Sequence, residues 1–337
     1  MCISDCSRVT NCRLISYNIF TSFCKFYNDY LQNEAELIDA SNNFLYSYEK
    51  PSYELRGIRC KSFTSQNNII SLVQLQNGNI AFGTQYGWIG LLDPVNFNLN
   101  TYMKAHESNV KTLTLLQNGN LASGSGDNTI RIWSPTLSLI KTLSGHNDAV
   151  TTLKVLNNGN VASGSFDSLV KIWNPEEGSL IFNLTGHTNF VNSLIQLKSG
   201  DLISFGFDAN IIVWNPYKGS LIRSIIGDCN YRTAVALVND YFATGCLNSH
   251  LQIWDSNTLN IKYSLIEHNN GINNLVQLQN GYLASCSGDK TIKIWDLESK
   301  SLKYNLSDHS DSIWGLIVLT NGYLASGGTD NQIIIWQ

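Results

Sequence analysis

Tryptophan recurs in this chain at a fixed interval. Trp133, Trp173, Trp214, Trp254, Trp295 and Trp336 stand 40, 41, 40, 41 and 41 residues apart, and Leu92 lies 41 residues before the first of them. A longer text travels with the period. LQNGYLASCSGDKTIKIWD, beginning at Leu278, returns as LQNGNLASGSGDNTIRIWS from Leu116, LNNGNVASGSFDSLVKIWN from Leu156, LKSGDLISFGFDANIIVWN from Leu197 and LTNGYLASGGTDNQIIIWQ from Leu319. A looser copy starts at Leu237 and a degraded one at Leu75, which makes seven. Repetition at this length means that each unit is one supersecondary element whose apolar faces are buried only against its neighbours.

Each unit reads as four antiparallel strands. In LASGSGDNTIRIW, Leu121 to Trp133, two short runs of small and β-branched residues flank a Gly-Asp-Asn turn. Upstream, Asn118-Gly119 predicts a type I′ hairpin turn, repeated in register at Asn77-Gly78, Asn158-Gly159, Asn280-Gly281 and Asn321-Gly322. Ser199-Gly200 and Asn239-Asp240 are weaker substitutes. After the Trp, a loop such as Ser134-Pro135, Asn174-Pro175 or Asn215-Pro216 leads into a fourth apolar strand such as SLIKTL from Ser138.

Gly145-His146 and Gly186-His187 each precede a Trp by 27 residues, counted from the His. With Ser, Asp and the hairpin turns held in the same register, residues 53–337 resemble the WD40 repeat family. The resemblance implies an all-β, seven-bladed β-propeller of four-stranded antiparallel blades, with protein-binding surfaces and no catalysis of its own. Gln337 directly follows Trp336, so the seventh copy has three strands. Closure of the ring then requires a strand near residues 55–63, where Leu55, Ile58, Cys60 and Phe63 are apolar, to cross over as its outer strand.

Ser, His and Asp recur together as His106, Ser123 and Asp127; His146, Ser163 and Asp167; His187, Ser204 and Asp208; His268, Ser285 and Asp289; His309, Ser326 and Asp330. An enzyme needs one nucleophile, one oriented base and a shaped pocket. A group that returns once per structural unit holds the unit together instead. By the family pattern these residues, with Trp133, Trp173, Trp214, Trp295 and Trp336, form a hydrogen-bonded chain joining a turn to the second and third strands. The remaining histidine, His250, is off register and reads as a solvated loop residue. Copy one carries Ser65, Phe82, Tyr86 and Leu92 in place of the signature; copy five keeps Thr244 and Trp254 but has Asp228 and Asn248. Blades one and five are therefore expected to be locally softer.

Propellers of this kind resemble one another in presenting on one rim the loops before the first strand and the turns between the second and third. There Phe166 and Phe207 each precede a turn Asp, Phe190 precedes the first strand of blade four, and Arg232 and Leu247 belong to blade five. Trp314 and Lys111 begin strands on the same rim, farther round. Aromatic and arginine side chains are frequent interface hot spots, so Phe166, Phe190, Phe207, Arg232, Leu247 and Trp314 are the expected partner-binding residues. The competing reading of each Phe is that it folds back over a blade edge.

A scaffold or adaptor that binds a protein or peptide, as a monomeric propeller within a complex, is the expected function. Two alternatives remain: a substrate-recognition subunit of a ubiquitin ligase, and a regulatory propeller serving a separate enzyme. The first is weakened because Asn257 and Glu298 stand two residues after the WD dipeptides, where the cullin-linked class often carries Arg. No phosphate loop or kinase motif is present, so any enzyme is a separate polypeptide. A formal net charge of −4 with 14% charged residues gives no footprint for nucleic acid. Neither a secretory segment nor an 18-residue apolar run occurs, so no membrane is expected and the location is cytoplasmic or nuclear. Cys2, Cys6, Cys12, Cys24, Cys60, Cys229, Cys246 and Cys286 show no repeat-phased pairing and no CxxC, and read as reduced thiols. No metal or cofactor is expected. Residues 1–52 form a separate extension, in which Phe23, Phe26, Tyr27, Tyr30 and Leu31 share one stripe and predict a single amphipathic helix within Thr21 to Ala40.

Overall fold

The computed structural model describes residues 58–337; the helix expected within Thr21 to Ala40 and the first four cysteines lie outside the described residues. The strands form seven four-stranded antiparallel sheets, six of them ordered from inside out as their strands come in the sequence and the seventh taking its outer strand from the start of the described residues. Blade two runs Val110–Leu115, Leu121–Ser125, Thr129–Trp133 and Leu139–Ser144. The innermost strands of the seven blades are Ile69–Gln74, Val110–Leu115, Val150–Val155, Val191–Gln196, Tyr231–Ala236, Ile272–Gln277 and Ile313–Val318. Each touches the next and the last returns to the first, so the ring is closed. The outer strand of blade seven is Arg59–Thr64, paired antiparallel with Gln332–Trp336 in a register that sets Phe63 opposite Ile333. Ile58 and Gln337 extend the pairing by exchanging backbone hydrogen bonds of 3.0 and 2.9 Å.

The repeated text explains the packing. Second strands such as Leu121–Ser125 and Val161–Ser165 are buried along their whole length, because a neighbouring blade lies against them. Their small residues are what close stacking requires: a Cβ on Gly124 would lie 2.7 Å from Val150 Cγ1 of the next blade. The apolar core is accordingly divided into seven clusters, each shared between adjacent blades. Between blades one and two, for example, Ala81, Ile89 and Leu91 meet Val110, Leu121 and Trp133.

The hairpin turns correct one expectation. At Asn118-Gly119 only the glycine is left-handed, with φ of 84°; its amide donates to the Leu116 carbonyl at 3.0 Å, and the Leu116 amide donates to the Asn120 carbonyl at 2.8 Å. This is a three-residue loop, a type I turn followed by a glycine bulge, rather than type I′. Asn118 contributes differently: its Oδ1 accepts the Asn120 amide at 3.0 Å, a local turn of the Asx kind. Asn239-Asp240 of blade five, the weaker substitute, instead has both residues left-handed, with φ of 70° and 58°.

Candidate functional site

Five blades share one hydrogen-bonded chain. In blade three Trp173 Nε1 donates to Ser163 Oγ at 2.8 Å, Ser163 Oγ lies 2.7 Å from His146 Nε2, and His146 Nδ1 lies 2.8 Å from Asp167 Oδ2. Asp167 also accepts the amides of Asn147 and Leu169 at 2.9 and 3.0 Å. With the imidazole proton on Nδ1, facing the carboxylate, Nε2 accepts the serine hydroxyl and every polar atom is satisfied. The spacing matches that of a nucleophile, its base and an orienting acid. Yet Ser163 is fully buried beneath the indole whose N–H it accepts, as are Ser123, Ser204, Ser285 and Ser326 in their blades. A substrate carbonyl has no approach to these oxygens, so the chain ties the loop, the turn and two strands together.

The carboxylates carry a pH signature. Burial alone would raise each of them, but at Asp127 the hydrogen bonds from His106 and Thr129 override it and hold the carboxyl well below the usual range. At Asp167 the same balance, against His146 and the Asn147 amide, brings it down to about 2; Asp208, Asp289 and Asp330 are also lowered. Unfolded aspartate titrates at about 3.9. The unfolded state therefore binds protons first as the pH falls, and the stability these groups supply above that value is lost on descent through the folded values. His187 acts in the same direction, because burial lowers its pKa against the opposing pull of Asp208. The thermal midpoint is expected to fall as pH drops below about 6.5 and most steeply below about 4. Calorimetry across pH checks this; a flat midpoint from about pH 5 to pH 2.5 contradicts it.

Blades one and five replace the chain rather than merely lacking it. In blade five Cys229 and Cys246 form a disulfide with Cα atoms 5.9 Å apart, which corrects the reduced-thiol reading for this pair. They join the loop before the first strand to the end of the second, close to where His and Asp make their tie elsewhere. Gln252, fully buried in the third strand, donates its amide to both oxygens of Asp228 at 2.7 and 2.9 Å, and Trp254 Nε1 donates to Thr244 Oγ1 at 2.9 Å. Cys286 keeps a buried thiol, whose pKa burial pushes up. In blade one Phe82 fills the serine site: its ring occupies the space a side chain at Gly90 would need, 2.2 Å from an ideal Cβ. It stacks on Tyr102 at 6.0 Å, and Tyr102 stacks on Trp88 at 4.9 Å. Replacing Cys229 and Cys246 together by Ser is expected to cost about 3 kcal/mol, the scale for a loop of this length. Denaturant titration checks it; an unchanged midpoint shows that the bond carries no stability.

The innermost strands surround an axial cavity of about 500 Å³, lined from all seven blades. Phe166 and Phe207 are held at its mouth by their backbones, the Phe166 amide donating to the Ala149 carbonyl at 2.9 Å and the Phe207 amide to the Phe190 carbonyl at 2.7 Å. Phe190 stacks on Phe166 with centroids 4.1 Å apart and lies 6.2 Å from Phe207. Lys111 Nζ sits 4.7 Å from the centre of the Phe166 ring. The Arg232 guanidinium lies 5.2 Å over the Trp314 ring and donates to Asn273 Oδ1.

Five of the six sequence-predicted rim residues, Phe166, Phe190, Phe207, Arg232 and Trp314, thus line one cavity, joined by Lys111. Trp314 and Lys111 are brought in because ring closure turns their strands toward the same axis. Leu247 does not line the cavity; it is exposed beside Gly271. Sequence reasoning missed the side chains that staple inner strands to one another. Asn192 Nδ2 donates to the Tyr231 carbonyl at 3.0 Å, Asn273 Nδ2 to that of Ile313 at 2.8 Å, and Ser71 Oγ to that of Val110 at 3.0 Å. Their signal is a polar residue at the second or third position of the strand.

The family model described as WD domain, G-beta repeat matches residues 97–134, 137–174, 178–215, 259–296 and 300–337. The unmatched stretches hold most of blades one and five, the two in which a disulfide or an aromatic stack stands in for the Ser-His-Asp chain. No curated protein matches this chain. Among solved structures it is similar to one described as "Crystal structure of WD40 beta propeller domain of Doa1", with 22% identity, a TM-score of 0.74 and coverage of 83% of this chain and 96% of that one. At that identity the likeness is one of fold.

Proposed function

This chain belongs to the WD40 repeat family, and on that premise we propose that it is a non-catalytic scaffold or adaptor that takes a segment of a partner protein at the mouth of the axial cavity. One observation carries the reading. Phe166, Phe190 and Phe207 come from three different loops of two blades, and they converge in one cluster at the cavity edge, Phe190 stacked on Phe166 and tilted against Phe207, instead of covering separate blade edges. Phe190 remains 36% exposed within it. Large aromatic side chains gathered beside a concavity, at positions the blade signature does not use, are the usual makings of a binding hot spot. The buried serines of the Ser-His-Asp chains support a role without chemistry of its own.

The test is a partner captured on the full-length chain, purified, and titrated against Phe166→Ala, Phe190→Ala and Phe207→Ala. Each variant is expected to weaken binding by about 1 to 3 kcal/mol with the melting temperature held within a degree or two. Normal binding by all three variants overturns the reading, as does loss of binding only in variants that no longer fold.

A further inference from the structure

The ring turns seven strands toward its axis, and the charges on them are of one sign. Among the residues of the seven innermost strands, the charged ones are Lys111, Lys154 and Arg232, all cations, in a chain whose formal net charge is −4. None of them is ion-paired: among the described residues, the pairs within 4 Å are the five His–Asp contacts and Arg131 with Asp127. Lys111 reaches the Phe166 ring and Arg232 reaches Trp314 and Asn273, and both line the cavity. An aromatic face and a neutral amide compensate a partly desolvated cation only in part. Burial lowers the pKa of Lys111 against a weaker opposing effect from Asp148, and it lowers that of Arg232 and of Lys154 as well. A carboxylate delivered from outside would supply the charge-assisted hydrogen bonds that the lining lacks.

We propose that the cavity takes an acidic peptide segment, with Asp or Glu carboxylates meeting Lys111 and Arg232 while a neighbouring Phe or Leu side chain packs on Phe166, Phe190 and Phe207. This rests on the reading of the mouth as the partner site. Charge complementarity selects the acid. The three-ring cluster beside Lys111 selects a peptide over a small anion, because an anion alone leaves those rings uncovered. A cavity of about 500 Å³ is large enough for a few side chains.

The experiment measures anisotropy of fluorescein-labelled nine-residue peptides on the full-length chain. One pool holds a single Phe or Leu among Asp and Glu, a second replaces the acids by Asn and Gln, and a third replaces them by Lys. Inorganic phosphate and a single-stranded oligonucleotide are the competitors. The acidic pool is expected to bind about tenfold or more tightly than the neutral one, with an affinity that falls as salt is raised. Lys111→Gln and Arg232→Gln are each expected to weaken it by about tenfold or more, and Arg232→Lys to restore most of the loss, with melting temperatures of all variants unchanged. Equal binding of acidic and neutral pools overturns the proposal, as does indifference to both Gln variants, or displacement by phosphate or oligonucleotide in preference to peptide. The captured protein partner separates the two levels. If its binding responds to Phe166→Ala and Phe207→Ala but not to the Gln variants, the acidic-peptide inference fails and the mouth stands; if it responds to none of them, the mouth itself is the wrong site.

Discussion

A chain lacking residues 1–64 is expected to lose cooperative unfolding, whereas one lacking residues 1–49 keeps it. The difference between the two truncations includes the strand Arg59–Thr64, the outer strand of blade seven. Without it Gln332–Trp336 becomes an open edge with unpaired backbone groups. Phe63 also leaves the cluster that joins blade seven to blade one, where it packs with Ile69, Phe82 and Ile333. Losing a ladder and an apolar plug at the ring's one chain-crossing point removes several kcal/mol from a total that in single domains is only about 5 to 15. Urea denaturation followed by circular dichroism compares the two. Equal midpoints and slopes contradict the closure.

Trp173→Ala is expected to cost about 3 to 5 kcal/mol, the scale of an aromatic deletion in a core. The indole is 2% exposed, lies in the cluster between blades two and three with Leu116, Ile130 and Val161, and donates its N–H to Ser163. Ser163→Ala is milder, at about 1 to 3 kcal/mol, because it leaves the indole N–H and His146 Nε2 without the hydroxyl they share. Both losses fall on stability. A hydrolase activity abolished by Ser163→Ala with the midpoint unchanged would mean that the serine is reached by substrate after all.

Blade number, strand order and the Ser-His-Asp-Trp chains were legible because they recur: one residue pattern read seven times averages out local exceptions. The closing strand was legible as an apolar, extended stretch, with Ile58, Cys60 and Phe63, standing before the first copy of the repeat. The hairpin geometry was not, because Asn-Gly serves both a two-residue type I′ loop and a three-residue loop with a glycine bulge, and only backbone angles separate them. The Cys229–Cys246 bond escaped because it occurs in one blade alone, and the chain folds back over a separation of 17 positions to bring the sulfurs together. Phe82 read as a degraded serine, although with Tyr102 and Trp88 it rebuilds the site from aromatic rings. The Phe stack was legible as three large residues where none is required. The juxtaposition of Arg232 with Trp314 was not, since contact across the channel depends on ring closure rather than on sequence distance.

Hydrogen exchange on the full-length chain, with and without its captured partner, tests most directly where that partner sits. The expected result is slowed exchange at the amides of Phe166 and Phe207, which hold the two turns at the mouth, together with the loop around Phe190. Protection confined to the hairpins that join first to second strands, such as those holding Val238 and Tyr282 beside the second-strand Tyr241, with the mouth amides unchanged, would place the partner elsewhere and contradict the assignment of the mouth as the binding site.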